Sequence, residues 1–124
     1  NALGVGNEVY HHEWSVEAIY TEPEVAQVGL SEAAAKLKKT DYNVHRIAFG
    51  DNLKANISES GEGFLKLLTD PATGRILGAG AIGHHAADLL APIAVAIRGG
   101  LTGDDLLQTG PANPTLSELL TTTE

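Results

Sequence analysis

Three groups of residues in this chain are of types that could do chemistry. Asn113-Pro114-Thr115-Leu116-Ser117-Glu118 brings an amide and a carboxylate close together near the C-terminus. Gly78-Ala79-Gly80-Ala81-Ile82-Gly83 is a literal G-x-G-x-x-G, and His11-His12 and His84-His85 are adjacent imidazoles. A neutral imidazole can take a proton near pH 7 and return it, whereas an amide has no accessible titration and can only donate or accept hydrogen bonds. Proton transfer therefore cannot run through Asn113. Thr115 and Glu118 have the [ST]-x-x-[DE] spacing of a capping box, in which Glu118 stabilises the start of a short helix by about 1 kcal/mol or less.

The glycine run follows an apolar strand and precedes an apolar helical stretch, the local setting of a dinucleotide-binding turn. Such a unit also needs a second parallel strand ending in an acidic residue about 20 residues on, to bind ribose hydroxyls. Here Arg98-Gly99-Gly100-Leu101-Thr102-Gly103-Asp104-Asp105 runs from one helix into the next, with the acidic pair in a helix first turn. The glycines are expected to serve close packing of strand and helix instead. A metal site of His, His and Glu is conceivable around Glu13 or His84-His85. Adjacent residues point apart on an extended chain, however, and neither pair has the i, i+4 spacing of two ligands on one helical face, so no metal is expected. His45 is a lone strand residue with no evident partner.

A chain of 124 residues is one domain. Sixteen acidic against 8 basic residues give a net charge of -8, which repels phosphate backbones and anionic lipid, so neither nucleic acid nor a membrane surface is an expected partner. Protein is. No run reaches the roughly 18 apolar residues of a membrane span and no basic, then apolar, leader opens the chain, so a cytoplasmic protein is expected. There is no cysteine, which excludes disulfides, thiolate metal sites and thiol redox chemistry within these residues. The chain begins Asn1-Ala2 and contains no Met, which reads as a cut fragment with an N-terminal extension over 1–15, scarred at its first two residues, and a domain over 16–124.

The elements that must position these residues follow from pattern. Strands are expected over 16–20 and 24–29, then a helix over 32–39 capped by Ser31. A third strand is expected over 43–49 and a polar loop or irregular crossing over 50–61. Strands 63–69 and 75–82 form a hairpin around Asp70-Pro71-Ala72-Thr73-Gly74, where Pro71 presets the turn and Gly74 can take positive φ. Leu89, Leu90, Ile93 and Ile97 make a core-facing stripe on a helix over 86–98, which Pro92 should kink or shorten. Thr102 with Asp105, and Thr115 with Glu118, open two short helices. Leu106, Leu107, Leu116, Leu119 and Leu120 are more large apolar side chains than those helices can bury, so a protein interface is expected there. The fold class is α+β, an antiparallel sheet with helices packed against it.

Several of these segments together carry a resemblance. Tyr20-Thr21-Glu22-Pro23-Glu24-Val25-Ala26-Gln27-Val28-Gly29-Leu30-Ser31-Glu32, Glu62-Gly63-Phe64-Leu65-Lys66-Leu67, Thr73-Gly74-Arg75-Ile76-Leu77-Gly78, Gly99-Gly100-Leu101-Thr102 and the 113–118 segment resemble, in order, the C-terminal interface domain of the pyridine nucleotide-disulfide oxidoreductases, which include dihydrolipoamide dehydrogenase. The resemblance implies an FAD/NAD-linked reductase dimerisation domain that forms a homodimer and lends its C-terminal motif to the partner's flavin site. FAD, NAD(P)H and a redox-active cysteine pair would belong to the flavin and nucleotide domains of a longer parent, with no cofactor bound by this chain alone. The family motif is His-Pro-Thr-x-Ser-Glu, so Asn113 and Glu118 stand at the positions of a catalytic His-Glu dyad whose histidine is replaced. Two roles are open for Glu118, the helix cap and a hydrogen bond from Asn113. The resemblance also implies a cis peptide at Asn113-Pro114. The alternative function is a free-standing dimerisation or binding module that has lost the enzyme.

Overall fold

The computed structural model describes residues 11–59 and 61–121, so Asn1-Ala2 and most of the expected N-terminal extension lie outside the described residues. Five strands form one antiparallel sheet: β1 (Glu17–Ile19), β2 (Val25–Gly29), β3 (Asn43–Ala48), β4 (Gly63–Thr69) and β5 (Ile76–Gly83), in the order β1-β2-β5-β4-β3. Helices α1 (Glu32–Lys38), α2 (Leu53–Ile57), α3 (Ala86–Gly99) and α4 (Gly103–Leu107) surround it. The expected α+β architecture is the observed one.

The alternation of β-strand side chains sorts the sheet into two faces. Ala26, Val28, Leu65, Ala79 and Ala81 share one face in register, all buried beneath Leu89, Leu90, Ile93 and Ala96 of α3. Alanines on the two strands next to the helix let it approach closely. On the other face Lys66 donates to Glu32 of α1 at 2.6 Å, and the Tyr42 hydroxyl donates to the same carboxylate at 3.3 Å. The lysine holds the Glu32 carboxyl below its ordinary range.

Local chemistry explains most boundaries. Ser31 accepts the Ala34 N–H at 3.1 Å and caps α1, while Thr102 and Asp105 complete a reciprocal capping box on α4. In the hairpin turn Gly74 takes φ 74° and donates to the Asp70 carbonyl at 2.8 Å. The long helix starts at Ala86, as its apolar pattern requires, and runs through Pro92. Proline leaves the Asp88 carbonyl without its helical donor, on the exposed side of the helix where water can supply one. Its first turn is capped from afar, Glu24 Oε2 accepting the Ala87 N–H at 2.8 Å, because His85 at φ 57° offers no side-chain cap.

Three expectations are corrected. Residues 50–61 are not simply a loop: a 3-10 turn at Phe49–Asp51 leads into α2, capped by Asn52, whose Oδ1 accepts the Ala55 N–H at 2.9 Å. Five residues is too short for a helical period to show, but a capping asparagine can start a turn. The last segment is a 3-10 helix, Leu116–Thr121, and not an α-helix. Of the five leucines expected at an interface, Leu106 and Leu119 are buried in the core, because α4 and the 3-10 helix fold back over the sheet, while Leu107 is 40% exposed.

Candidate functional site

The turn from Ala112 to Glu118 joins the two residues singled out by sequence. Glu118 faces back along the chain with both oxygens engaged: Oε2 accepts Asn113 Nδ2 at 2.9 Å and Oε1 accepts the Thr115 N–H at 2.9 Å. Both expected roles of Glu118 are therefore present in one carboxylate. The reciprocal half of the box is not. Thr115 Oγ1 donates to the Ala112 carbonyl at 2.6 Å, so the hydroxyl closes the turn and the Glu118 N–H meets the Thr115 carbonyl at 3.4 Å, the short spacing of a 3-10 start. Asn113-Pro114 is cis, and Glu22-Pro23 is cis as well.

Two anchors tie this turn to the fold. Leu119, 1% exposed, packs into the core directly after Glu118. Asn52, 5% exposed, donates through Nδ2 to the Thr115 carbonyl at 3.0 Å while its Oδ1 caps α2. Sequence reading did not single out Asn52. The available signal was an amide before a five-residue apolar-polar turn, and its contact with Thr115 is too distant along the chain to infer.

Since a carboxylate only accepts, Asn113 Nδ2 must be the atom facing Glu118, which turns Oδ1 away from it. Asn113 and Pro114 are exposed, so the amide is presented at the surface on a fixed turn. It can orient a neighbouring group by hydrogen bonding and cannot take its proton. Beside the turn, a cleft of about 410 Å³ lies between β3, β4 and the C-terminal segments, with Ile93 of α3 on its wall, lined further by Ile47, Leu65, Leu67, Leu106, Leu119 and Leu120. His45 is on its wall and does have a partner, Thr69 Oγ1 at 3.1 Å on the adjacent strand, correcting the expectation of a lone residue.

The glycine run lies inside β5, paired on both sides: Gly78 with Gly29 and Leu68, Gly80 with Gln27 and Lys66. A backbone committed to two ladders offers no cradle of amides to a pyrophosphate. Its glycines serve close approach: a Cβ on Gly78 would lie 2.0 Å from the Leu30 carbonyl oxygen, and one on Gly83 would lie 2.5 Å from the Phe49 ring. The histidines spread out. His12 contacts Glu17 at 3.1 Å, His11 contacts Glu13 at 3.5 Å, and no three His, Cys, Asp or Glu converge to hold a metal among the described residues. His84 and His85 do not point apart, their rings being 3.9 Å from centre to centre, because the positive φ at His85 folds the chain between them. No helix among the described residues is long and apolar enough to cross a membrane.

Comparison with known proteins agrees with this architecture. The family model described as pyridine nucleotide-disulphide oxidoreductase, dimerisation domain, matches residues 15–124. A dihydrolipoyl dehydrogenase from Chlorobaculum tepidum is 44% identical over 100 residues, covering 81% of this chain and 21% of the relative. One from Bacillus subtilis is 37% identical over 101 residues, covering 82% of this chain and 22% of the relative. The crystal structure of LpdA from Mycobacterium tuberculosis superposes with a TM-score of 0.86 at 29% identity, over 97% of this chain and 26% of that one. The flavoprotein disulfide reductase RclA from Escherichia coli shares the fold, with a TM-score of 0.81 at 22% identity over 87% of this chain and 24% of that one. This chain thus spans about a fifth of the length of the curated relatives it matches. With the family's fold and its entry, hairpin and C-terminal segments all in place, the chain belongs to the pyridine nucleotide-disulphide oxidoreductases, as their dimerisation domain.

Proposed function

We propose that this chain is the dimerisation part of an FAD-dependent pyridine nucleotide-disulphide oxidoreductase, and that its 112–118 turn is lent to the flavin site of the partner subunit with Asn113 in place of the family's catalytic histidine. The hydrogen bond from Asn113 to Glu118 supports this reading best. A carboxylate that would orient an imidazole is positioned and orients an amide instead, while Asn52 and Leu119 fix the turn from behind. In this arrangement Asn113 binds and orients, and a proton must come from elsewhere.

FAD and NAD(P)H, bound by the flavin and nucleotide domains of the parent, would supply hydride and electron transfer. The residues present here do not fit either cofactor, because the Gly78–Gly83 backbone is spent in the sheet. Nor can this chain carry the redox-active cysteines, having none. Its role toward the chemistry is to close the site from the partner's side. A homodimer with twofold symmetry follows from that role, the same patch meeting itself.

The test is Asn113→His in the flavin-loaded, cysteine-containing parent, whose native subunit should be several times heavier than the 12.9 kDa of this chain. With Glu118 already placed, turnover of dihydrolipoamide or disulfide should rise by up to roughly 10²- to 10⁴-fold. An unchanged rate in a folded parent means the turn is scaffold only.

A further inference from the structure

The sheet ends differently on its two sides. On one side β1 is three residues long and offers little edge. On the other β3 is six residues long and pairs with β4 alone among the described strands, in unbroken register from Asn43 with Thr69 to Ala48 with Phe64. An edge strand turns every second N–H and C=O away from its sheet, and such a row is a template for a further strand. Proteins blunt such edges with lysine, proline or a bulge. Asn43-Val44-His45-Arg46-Ile47-Ala48 contains none of the three.

The two faces of β3 meet different surroundings. Asn43, His45 and Ile47 line the cleft of about 410 Å³, a volume within the roughly 300–1,000 Å³ of ligand-sized pockets. Its wall is apolar around Ile47, with Leu65 opposite in the ladder and Leu119 above. Toward Asn43 the lining turns acidic, with Asp70 next to the Thr69 rung and Asp104 where α4 starts against the hairpin. Val44, Arg46 and Ala48 take the other face and are exposed, the Arg46 guanidinium lying 4.1 Å over the Phe64 ring. A strand added to β3 continues this alternation, because directly opposite residues share a face. Its side chains opposite Ile47 and His45 enter the cleft, where apolar ones fit. The one opposite Asn43 reaches the acidic end, which suits a cation, and the one opposite Arg46 on the outer face suits a carboxylate. The main chain then supplies binding and the cleft supplies selection.

We propose that β3 is a docking edge for a partner protein, which adds an extended segment with apolar side chains at two alternate positions, a cation at the Asn43 end and a carboxylate opposite Arg46. The probe is a capped six-residue peptide, Thr-Val-Glu-Ile-Thr-Lys, ordered to lie antiparallel from Ala48 to Asn43. Titrated into the isotope-labelled chain and followed by NMR, it should shift the β3 amides and the His45 ring and saturate with a Kd of roughly 100 μM or tighter. Replacing its Val and Ile by Ser should weaken binding at least about 10-fold, since two apolar side chains leave the cleft. Arg46→Glu, an exposed change that leaves the core intact, should weaken binding about 3-fold or more. The peptide with Lys in place of Glu should bind that variant to within about 2-fold of the original pair. β3 amides that stay unmoved at about 1 mM peptide overturn the proposal, as does binding indifferent to the Ser peptide or to Arg46→Glu. Shifts of the β3 amides that grow with protein concentration in the absence of peptide also overturn it, making a second copy the occupant of the edge.

Discussion

Replacing Gly78 by alanine should cost far more than the same change two residues along the strand. A Cβ at position 78 would lie 2.0 Å from the Leu30 carbonyl oxygen and 2.5 Å from the Leu30 nitrogen, backbone atoms that cannot rotate aside. Leu30 also donates to the Leu77 carbonyl at 2.9 Å, so making room lifts the junction of β2 and α1 off the sheet and breaks that bond. A lost hydrogen bond of about 0.5–1.5 kcal/mol added to about 1–3 kcal/mol of overpacking gives roughly 3 kcal/mol. At Gly80 the nearest atom to a Cβ is Gln27 Oε1 at 3.0 Å, the far end of a flexible side chain. Alanine there also restricts the unfolded chain, so the net effect should stay within about 1 kcal/mol of zero. A protein of this length loses roughly 4 °C in Tm per kcal/mol. Thermal melts should therefore drop by about 12 °C for Gly78→Ala and by less than about 4 °C for Gly80→Ala. Equal, small shifts would show that the strand is not packed as described. Glycines of a cofactor loop would behave oppositely, changing ligand affinity and sparing the melt.

Asn52→Ala removes the cap of α2 and the anchor of the Thr115 carbonyl together, so chemical denaturation should show a loss of about 2 kcal/mol. Stability should fall on acidification. The Thr102 backbone N–H, then its hydroxyl, holds the Asp105 carboxyl below its ordinary range, and the Ala72 N–H does the same for Asp70. A carboxyl depressed by folding stabilises fully above its unfolded pKa and ceases to as pH falls through its folded one, so the loss belongs below about pH 4. Asp105→Asn should flatten that acid limb in pH-dependent melts, and an unaltered profile would remove the cap from the account. Titrating the isolated chain with FAD or NADH should give no binding at micromolar concentrations, and saturation in that range would restore the glycine run as a cofactor site.

Reading the sequence succeeded where one physical rule ruled locally. Ser31 and Thr102 cap because their hydroxyls reach amides three residues on, and Gly74 takes the left-handed turn conformation that its place after Asp70 requires. It failed where a distant element decided. Nothing near Asn52 reveals that its amide holds Thr115, and nothing near His45 reveals Thr69 across the ladder. The leucine cluster was overcounted as surface because only the tertiary fold shows Leu106 and Leu119 folding back into the core. Asn113 and Glu118 could be named from the motif, and their contact could be anticipated. That one carboxylate serves both the amide and the turn is a matter of geometry.

The borrowed cap on α3 bears on how the domain comes apart. His85 contributes no cap of its own, and the Ala87 N–H is satisfied only when Glu24, at the entrance to β2, is in place. Gly83 at the end of β5 donates to the carbonyl of the same Glu24 at 2.8 Å. The helix, the central strand and the second strand thus share one residue at a common corner, and none of them can begin to open there without exposing a polar group of another. Amides of α3's first turn and of the adjoining ends of β2 and β5 should accordingly exchange hydrogen as one cooperative unit, while Glu24→Ala, which removes the carboxylate and keeps the carbonyl, should speed exchange most in the first turn of α3.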